Sequence, residues 1–513
     1  MTKTVIELVV VALASLAAGR VVLRPVVFRE IRARPLLSLA ALGVAGAILL
    51  VVARTWPGWR AALAVAAPVA AALWVLFYLR SRPHFGRSRG LPPGSLGLGV
   101  SLDAIGQPAF YARAAERWGP IFKMAQFHRP TVAVVDLPLG LAFMERERAK
   151  LAQPRLPFGR LSPGNYIEFM NDAQHTRYRG ILRPALSGPV VAASRPGVAE
   201  VVRHQLATMA DANQLGGVDP DPYLDRIAFA SLTRVMFGVA VTDPRVPDLE
   251  RQFGALGTAR AFAERRPEER REPFSRLIEI VRALGTDIFS APGASGPESR
   301  SVLGEILRHD AAHLADETLV GNLILMVHVT RSNVRGLLGW VLKEACDHPL
   351  GPEWEAATAA MSAIEGLATN FVNETLRLHQ SEYFYREVVS DVGIGPYRIP
   401  KGWLVRVCVR ECHDRPDVFP DPARFDPSRF AGRQYSREEY APFSDGTHSC
   451  FGAGLAVMIA KTLVVALATE FEVRKVADGP VVRQGNRHWS HWRPSLAFRV
   501  ALSHRKRVDA LGA

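Results

Sequence analysis

A glycine-rich loop that holds one cysteine and leads into a long apolar run most limits how this chain can fold. The loop extends from Phe443 to Gly454 with Cys450 near its end, and glycines let a backbone approach a flat ligand closely or adopt positive φ. The mainly apolar run Leu455–Ala468 predicts a buried helix. The positive end of that helix would point at the sulfur, so we expect a lowered thiol pKa and a thiolate at Cys450.

A thiolate in a tight loop can be the axial ligand of a haem iron, to which it donates electron density that favours O–O cleavage. The pattern F-x-x-G-x-x-x-C-x-G, formed here by Phe443, Gly446, Cys450 and Gly452, resembles the signature of the cytochrome P450 family. The resemblance implies an enzyme that contains haem b, with Cys450 as the iron ligand. A buried structural cysteine is the alternative for this motif alone.

Two further motifs match the same family in order and spacing. Glu374 and Arg377 form an E-x-x-R motif, whose spacing places both side chains on one helix face; taken alone, it predicts a surface ion pair. Arg429 lies in the segment Phe425–Phe430, which resembles the family's F-x-P-x-R-F segment. The resemblance implies that Glu374, Arg377 and Arg429 form a buried triad that locks the haem-binding core.

Cationic side chains are needed to hold the two haem propionates. Candidates match the family pattern by position, and His175 and Arg179 are four residues apart, so they lie on one helix face. The others are Arg386, which we expect just before a strand at Glu387–Val389, and His448, two residues before Cys450. Each could instead be a solvated charge; as a set, they predict propionate binding.

The long central helix, predicted at Thr318–Ala345, departs from the family. Its usual A/G-G-x-D/E-T segment falls on Val329–Asn333, so Ser332 replaces the acid and Asn333 replaces the alcohol. In ordinary family members that pair relays protons to iron-bound dioxygen. Ser332 and Asn333 can still hydrogen-bond an oxygen species or position water, but neither is a good proton reservoir at pH 7.

Arg331 lies beside these two residues, where a charge facing a haem pocket must be paired or contact a ligand. The family's peroxide-using fatty-acid branch carries Arg-Pro at this position, and the substrate carboxylate supplies the missing acid. Here Ser332 follows Arg331, so half of that signature is present. Arg331 could therefore hold a substrate carboxylate, or it could face away from the pocket and pair with an acid elsewhere.

The first 82 residues differ in character from the rest of the chain. Leu36–Ala53 and Ala61–Leu79 are uncharged runs of 18 and 19 residues, each about long enough to cross a bilayer core of roughly 30 Å. Val5–Leu23 is a weaker third candidate. Arginines flank these runs on the sides that the positive-inside rule assigns to the cytoplasm, so we expect a multi-pass anchor and a cytoplasmic catalytic domain. Two buried core helices are the alternative.

A Pro- and Gly-rich segment follows the apolar runs. We expect residues 83–98 to be a hinge, because adjacent prolines and glycines form a stiff, turn-rich linker, and residues 99–513 to be the catalytic domain. Many amphipathic stretches and few strand-like runs predict an α-rich α+β fold there, which the resemblance identifies as the P450-like haem domain, preceded by two or three transmembrane helices.

The composition limits the partners. The chain of 513 residues carries 63 Lys and Arg against 49 Asp and Glu, yet no nucleic-acid-binding motif accompanies the positive charge. Four cysteines are too few for a disulfide scaffold, and the pair Cys408 and Cys412 has no second pair to complete a zinc site. We therefore expect no nucleic-acid partner, and contact with membrane lipid through the anchor.

Three functions remain open at this stage. The first is a monooxygenase that oxidises a lipophilic small molecule; since no G-x-G-x-x-G opens a βαβ unit, its electrons would come from separate proteins such as a ferredoxin and its reductase. The second is a peroxide-driven peroxygenase or an oxygen-rearranging enzyme, based on Arg331, Ser332 and Asn333. The third is a haem protein that senses or carries without catalysis.

Overall fold

The structure is a computed structural model, which describes residues 90–96, 104, 106–126, 129–154, 165–212, 217–257, 268–290, 300–357, 360–379, 382–444, 449–483 and 492–505. The predicted spans Val5–Leu23, Leu36–Ala53 and Ala61–Leu79 lie outside these residues, as do Gly446 and His448. Within the ranges given, no helix is both long enough and apolar enough to cross a membrane.

The chain forms two compact units. Counting the described residues alone, the smaller comprises those up to Ala133 together with Val388–Val405, and the larger comprises those within Val134–Glu387 and from Arg406 onward. The smaller unit contains helix α1 (Phe110–Trp118) and strands β1 (Gly94–Ser95), β2 (Ile121–Gln126), β3 (Arg129–Val134), β6 (Val392–Ile394) and β7 (Tyr397–Ile399).

The end of the predicted hinge is part of this smaller unit. Strand β1 pairs in parallel with β2, so that Gly94 lies opposite Lys123. Gly94 has a φ of 115°, and a Cβ at this position would lie 2.2 Å from the carbonyl oxygen of Lys123. Only glycine fits such a close approach. Part of the segment predicted as a hinge, Gly94–Ser95, is therefore paired with a neighbouring strand.

The larger unit is mainly helical. Its described helices are α2 (Leu137–Arg146), α3 (Asp172–Ala185), α4 (Gly188–Ala193), α5 (Arg195–Asp211), α6 (Asp221–Phe237), α7 (Val246–Leu256), α8 (Glu268–Ser290), α9 (Val302–His309), α10 (Glu317–Asp347), α11 (Pro352–Ala357), α12 (Met361–His379), α13 (Val409–Cys412) and α14 (Ala453–Thr469). Its 3₁₀ turns are Arg148–Lys150, Ile167–Phe169, Ala311–Leu314 and Pro427–Phe430.

Short strands complete the fold. Their bounds are β4 (Leu151–Ala152), β5 (Tyr383–Val388), β8 (Leu404–Cys408), β9 (Phe471–Ala477), β10 (Val482–Arg483), β11 (Trp492–Arg493) and β12 (Arg499–His504). Strand β5 lies between β8 and β4, while β9 with β12 and β10 with β11 form antiparallel pairs. The predicted α-rich α+β architecture is confirmed.

Local sequence explains where the helices that build the site begin and end. The Asn171 side chain accepts a hydrogen bond from the N–H of Gln174 at the start of α3, and Asp316 does the same for Leu319 at the start of α10. Both are N-caps, which satisfy a backbone donor that the helix leaves unpaired. Helix α6 ends at Gly238, whose φ of 77° suits a left-handed C-terminal cap.

Helix α10 runs through the centre of the larger unit and packs against α6, α8, α12 and α14. Its buried apolar side chains join one continuous core that includes Leu323, Leu338, Ile459 and Leu463. Burial on several sides explains why the helix is apolar over most of its length. Packing on this scale holds α10, α12 and α14 at fixed positions, so the side chains that they present toward the site are fixed too.

One predicted strand differs in extent from the structure. Strand β5 starts at Tyr383, so Arg386 lies inside the strand rather than just before it. Successive residues of a strand point to opposite faces, so Arg386 and Phe384, which are two residues apart, share a face.

Candidate active site

A cavity of about 370 Å³ lies within the larger unit. Its wall combines residues from α3, α6, α10 and β5, the turn at Ile167–Phe169, and the segments on either side of Cys450. Much of the lining is apolar, including Ile167, Leu232, Met236, Met326, Val327, Val334, Leu337, Leu376, Phe384, Phe451 and Leu455. The polar groups in this wall come from several separate elements of the fold.

Cys450 lies in the cavity wall just before α14. Its backbone N–H donates a 3.0 Å hydrogen bond to the carbonyl oxygen of Phe443, which closes the loop. Burial raises the pKa of the Cys450 thiol; the N–H of Gly452, which donates to the sulfur, lowers this pKa by less, and the carboxylate of Glu168 raises it further.

The expectation of a lowered thiol pKa was therefore wrong for the protein without a metal ion, because loss of solvation outweighs the backbone donors of the helix start. A metal ion changes this balance, since a coordinated thiol loses its proton outright. Metal binding at Cys450 would thus release a proton.

Two guanidinium groups in the cavity wall fit the propionates of a haem. The Nη1 atom of Arg179 is buried and has no hydrogen-bond partner among the described residues, while Nη2 donates to Ser449 at 3.4 Å. Burial and the neighbouring Arg183 lower the pKa of Arg179. Burial also lowers the pKa of Arg386, against the opposing effect of Glu168. Desolvated cations of this kind favour an anion close by.

The loop also leaves space for a flat group. Gly452 lines the cavity, and a Cβ at this position would meet no protein atom within 4 Å. The left-handed backbone that the motif suggested occurs at Ser444, whose φ is 61°, whereas Gly452 has a φ of −89°. Glycine at 452 is therefore explained by the space beside it rather than by its backbone conformation. His175 and Phe443 also line the cavity.

The residues of the predicted triad lie together behind the cavity. Arg377 Nε and Nη2 donate to the two carboxylate oxygens of Glu374 at 2.7 and 2.8 Å, and Arg429 Nε lies 3.3 Å from Glu374 Oε1. The side chains of Glu374 and Arg377 are 0% exposed, and that of Arg429 is 7% exposed. An ion pair on the protein surface, the alternative for this motif, is not what the structure contains.

Helix α10 presents a different pair of polar side chains from the one that the sequence suggested. Thr330 and Asn333, one helical turn apart, line the cavity together with Val329. Ser332 is not among the described lining residues, and its hydroxyl donates to the carbonyl oxygen of Val329 at 3.3 Å. An alcohol and an amide therefore replace the alcohol and acid of other family members at the cavity wall.

Arg331 lies on a different face of α10 and does not reach the described cavity wall. Its Nε donates to Asp225 Oδ1 at 3.0 Å and its Nη2 donates to Asp225 Oδ2 at 2.5 Å, so Arg331 forms a bidentate ion pair with this residue of α6. Its guanidinium carbon lies 4.6 Å from the centre of the Phe229 ring. The structure thus gives Arg331 an acid elsewhere, as the alternative interpretation expected, and a substrate carboxylate would have to displace Asp225.

Arg331→Ala is expected to lower the free energy of unfolding by about 1 kcal/mol, since a partly exposed ion pair and one cation–π contact each contribute up to about that amount. Peroxide-supported and reductase-supported rates per haem should fall by the same fraction. Asp225→Asn is the matched control: its effect on unfolding should not add to that of Arg331→Ala. A selective loss of the peroxide-supported rate would contradict this assignment.

Several wall residues were missed by the sequence analysis. They include Tyr166 and Glu168 near the turn before α3, Thr330 on α10, and Tyr383 and Tyr385 on β5. Burial raises the pKa of Tyr166, of Glu168 and of Tyr385. Thr330 could have been found from its three-residue spacing to Asn333, whereas no local pattern marks Glu168.

Comparison with known proteins agrees with this geometry. Residues 95–266 and 357–495, more than half of the chain, match the sequence model of the family described as cytochrome P450. The unmatched segment between them contains α10, where the motif departs.

Individual relatives and solved structures were also compared. Abscisic acid 8'-hydroxylase 3 from Oryza sativa is 28% identical over 415 residues, covering 74% of this chain and 81% of that protein. Abscisic acid 8'-hydroxylase 2 from Arabidopsis thaliana is 26% identical over 436 residues, covering 77% and 87%. A retinoic acid-bound cyanobacterial CYP120A1 has a TM-score of 0.63 at 21% identity and covers 81% of this chain and all of that one.

The family uses haem b with a cysteine thiolate as the axial iron ligand, and its members are monooxygenases that take electrons from separate redox partners and act on small organic molecules. The residues around the cavity fit that cofactor: a cysteine in the wall, two desolvated guanidinium groups and open space at Gly452. With more than half of its length matched, this chain belongs to the cytochrome P450 family and is a haem-thiolate monooxygenase.

Proposed function

We propose that this chain oxidises an apolar organic substrate in the cavity described above, with Cys450 as the axial ligand of its haem. The observation that carries the proposal is the position of Cys450 in the wall of an otherwise mainly apolar cavity. When bound, haem supplies the redox and oxygen-transfer chemistry that no side chain here provides. The side chains described below hold the cofactor, orient the substrate and control water.

His175, Arg179 and Arg386 hold the propionates in this proposal, with His448 as a fourth partner, whose position lies outside the described residues. Arg179 Nη1 is buried and has no hydrogen-bond partner among the described residues. This supports the role, since a propionate carboxylate could accept its hydrogen bond. Phe443, Gly446 and Gly452 belong to the loop that faces the cofactor. The buried triad of Glu374, Arg377 and Arg429 holds the backbone on which this loop is built.

The substrate lies against apolar side chains of α10 and α6, and Thr330 and Asn333 are the groups of α10 able to bind water or a substrate oxygen. The relatives act on abscisic acid, and the neighbouring structure holds retinoic acid. For this chain we propose a substrate with a large apolar body. Because Arg331 is bound to Asp225, it is not available to pair with a substrate carboxylate.

The peroxide-driven alternative is not favoured for the same reason, since it required the guanidinium of Arg331 in the pocket. The experiment that tests the proposed function compares two oxidant systems on one purified sample. Product should form with oxygen, a ferredoxin and its reductase, and at a much lower rate with peroxide alone. Turnover with peroxide that equals or exceeds turnover with the reductase would favour the alternative.

Residues 1–82 form a membrane anchor in this proposal, with spans at 36–53 and 61–79 and a third at 5–23. The uncharged runs and the arginines around them support the arrangement. Residues 83–98 are the hinge in this proposal, supported by their Pro- and Gly-rich sequence. The catalytic domain lies on the cytoplasmic side and contacts membrane lipid, with a ferredoxin as the proposed electron donor.

Removal of residues 1–82 is expected to move the protein from the membrane fraction to the soluble fraction with its haem retained, because the truncation ends before β1. Cell fractionation and haem content per polypeptide measure this directly. The full-length protein, which should need detergent for extraction, is the control. If every truncated form aggregates without haem, the N-terminal runs belong to the core, and the proposed boundary fails.

A further inference from the structure

The cavity contains a carboxylic acid, but it does not come from the central helix. Ser332, at the family's acid position, is not among the described lining residues, and α10 contributes Thr330 and Asn333 instead. Among the described residues of the cavity wall, Glu168 is the one carboxylate. It lies on the 3₁₀ turn Ile167–Phe169, just before α3. Glu168 lines the cavity and is accessible at its surface, although the protein atoms near it are dense enough to desolvate its carboxyl group.

Helix α10 fixes the position of this turn through one buried amide. The N–H of Ile167 donates a 2.7 Å hydrogen bond to Asn322 Oδ1. Asn322 Nδ2 donates in turn to the carbonyl oxygen of Asn165 at 3.1 Å and to that of Thr318, one turn back on α10, at 2.8 Å. Asn322 is 0% exposed, so an unpaired amide would be costly there. The residue before Glu168 is thus fixed to α10, two turns from Thr330.

The surroundings of Glu168 favour its neutral form. Burial raises the pKa of its carboxyl group, and the Arg386 guanidinium opposes this with a smaller effect. Among the described residues, Tyr166, Tyr385 and Cys450 are within electrostatic range of Glu168, and a negative charge on Glu168 raises the pKa of each of them. A substrate that fills the cavity would remove more water from the carboxyl group and raise its pKa further.

We propose that Glu168 is the proton-supplying residue of this cavity, in place of the acid that α10 lacks, and that Asn322 positions it. The proposal rests on the proposed monooxygenase function. Insertion of one oxygen atom of O₂ into a C–H bond consumes two electrons from the redox partner and two protons, and releases one water molecule. The O–H bond of Glu168 breaks as its proton passes to the oxygen atom that is released as water; the carboxylate then recovers a proton from solvent and delivers the second proton in the same way. Thr330 and Asn333 are the hydrogen-bonding groups that α10 contributes to the same cavity wall.

Glu168→Gln separates this role from two simpler ones, since the amide keeps the shape and hydrogen bonding of the side chain but has no acidic proton. A residue that served only as a counter-ion for Arg386 would change haem retention when replaced. A residue that served only to bind substrate would change KM. A proton-supplying residue changes kcat and its pH dependence, while haem content and the reduced carbonyl spectrum stay unchanged.

The first measurement needs no turnover. Infrared spectra of the ferric holoprotein, taken as wild type minus Glu168→Gln across a pH series, should show a protonated carboxyl band that persists above about pH 4.3, the ordinary value for glutamate. Glu200→Gln, which removes an exposed carboxyl of α5, is the control for the loss of one glutamate, and its difference spectrum should lack this band. A Glu168 band that is lost at or below about pH 4.3 would overturn the proposal.

The second measurement is product formation with oxygen and the reductase system. Glu168→Gln should lower kcat by about 100-fold, the lower end for loss of a general acid. Glu168→Asp keeps the carboxylic acid on a side chain one methylene shorter and should recover part of the lost kcat. Asn322→Ala should lower kcat with a smaller effect on KM. An unchanged kcat, or a loss explained by lower haem content, would overturn the role of Glu168. Absence of product from the wild type would instead count against the proposed function, while the infrared titration still decides the protonation of Glu168.

Discussion

Cys450→Ala is expected to abolish oxygenase activity and to remove the long-wavelength absorption band that marks a thiolate-ligated haem in the reduced carbonyl complex. Alanine offers no axial ligand, so electron density from sulfur can no longer assist O–O cleavage. Cys450→Ser is the second variant: its oxygen can lie near the iron but cannot restore thiolate ligation. The measurement is the reduced carbonyl spectrum at matched haem concentration.

The other three cysteines are the matched controls for this prediction. Burial raises the pKa of Cys346 and of Cys408 to about 12, and raises that of Cys412 as well. None of the three is among the described residues of the cavity wall. Their thiols stay protonated and do not line the cavity, so replacing each with serine or alanine should leave the thiolate band in place. A thiolate band that survives in Cys450→Ala would contradict the assignment of this ligand.

The sequence predicted those parts of the site whose residues lie within one short motif, because such a motif specifies both the residue types and their spacing. Cys450, Gly452 and Phe443 are close along the chain, so one loop brings them to the cavity whatever the rest of the fold does. His175 and Arg179 were predicted from their position in the family pattern, and their four-residue spacing placed them on one helix face; both line the cavity. The triad could be predicted from two motifs in a known order, although its depth of burial became visible only in the structure.

Features that depend on distant parts of the chain could not be predicted. Arg331 pairs with Asp225, 106 residues earlier. Helical periodicity indicates which residues of α10 share a face with Arg331, but it does not indicate which other helix packs against that face. Asn322 binds Ile167, 155 residues earlier, so no local pattern connects Glu168 to α10. The prediction of a lowered pKa for the Cys450 thiol was wrong for a related reason. A helix start can be recognised in sequence, whereas the loss of solvation that outweighs it depends on the packed surroundings.

The buried triad is the part of the core with the largest expected effect on stability. Glu374 accepts hydrogen bonds from Arg377, from Arg429 and from the backbone N–H of Asp426 at 2.9 Å. Arg377 also donates to the carbonyl oxygens of His413 at 3.0 Å and Pro422 at 2.8 Å. These bonds join α12 to the segment that precedes the Cys450 loop. The carboxylate of Glu374 therefore balances two guanidinium groups and orders a stretch of backbone at the same time.

Glu374→Ala is expected to leave two buried guanidinium groups without their carboxylate. Removing one partner of a buried ion pair costs roughly 3–5 kcal/mol, which is a large part of the total stability of about 5–15 kcal/mol for a folded domain. Little or no haem-loaded protein should be recovered. The measurements are denaturant unfolding of whatever folds and the ratio of haem to polypeptide after purification.

Glu365→Ala provides a control on the same helix. Glu365 also pairs with two cations, Arg195 and Lys461, the latter at 3.0 Å, but its side chain is 19% exposed. Water can solvate those cations after the change, so the cost should be about 0–1 kcal/mol. The comparison isolates burial, since both variants remove a paired glutamate from α12. If Glu374→Ala folds with full haem content and unfolds at the same denaturant concentration as Glu365→Ala, the triad does not hold the haem-binding core.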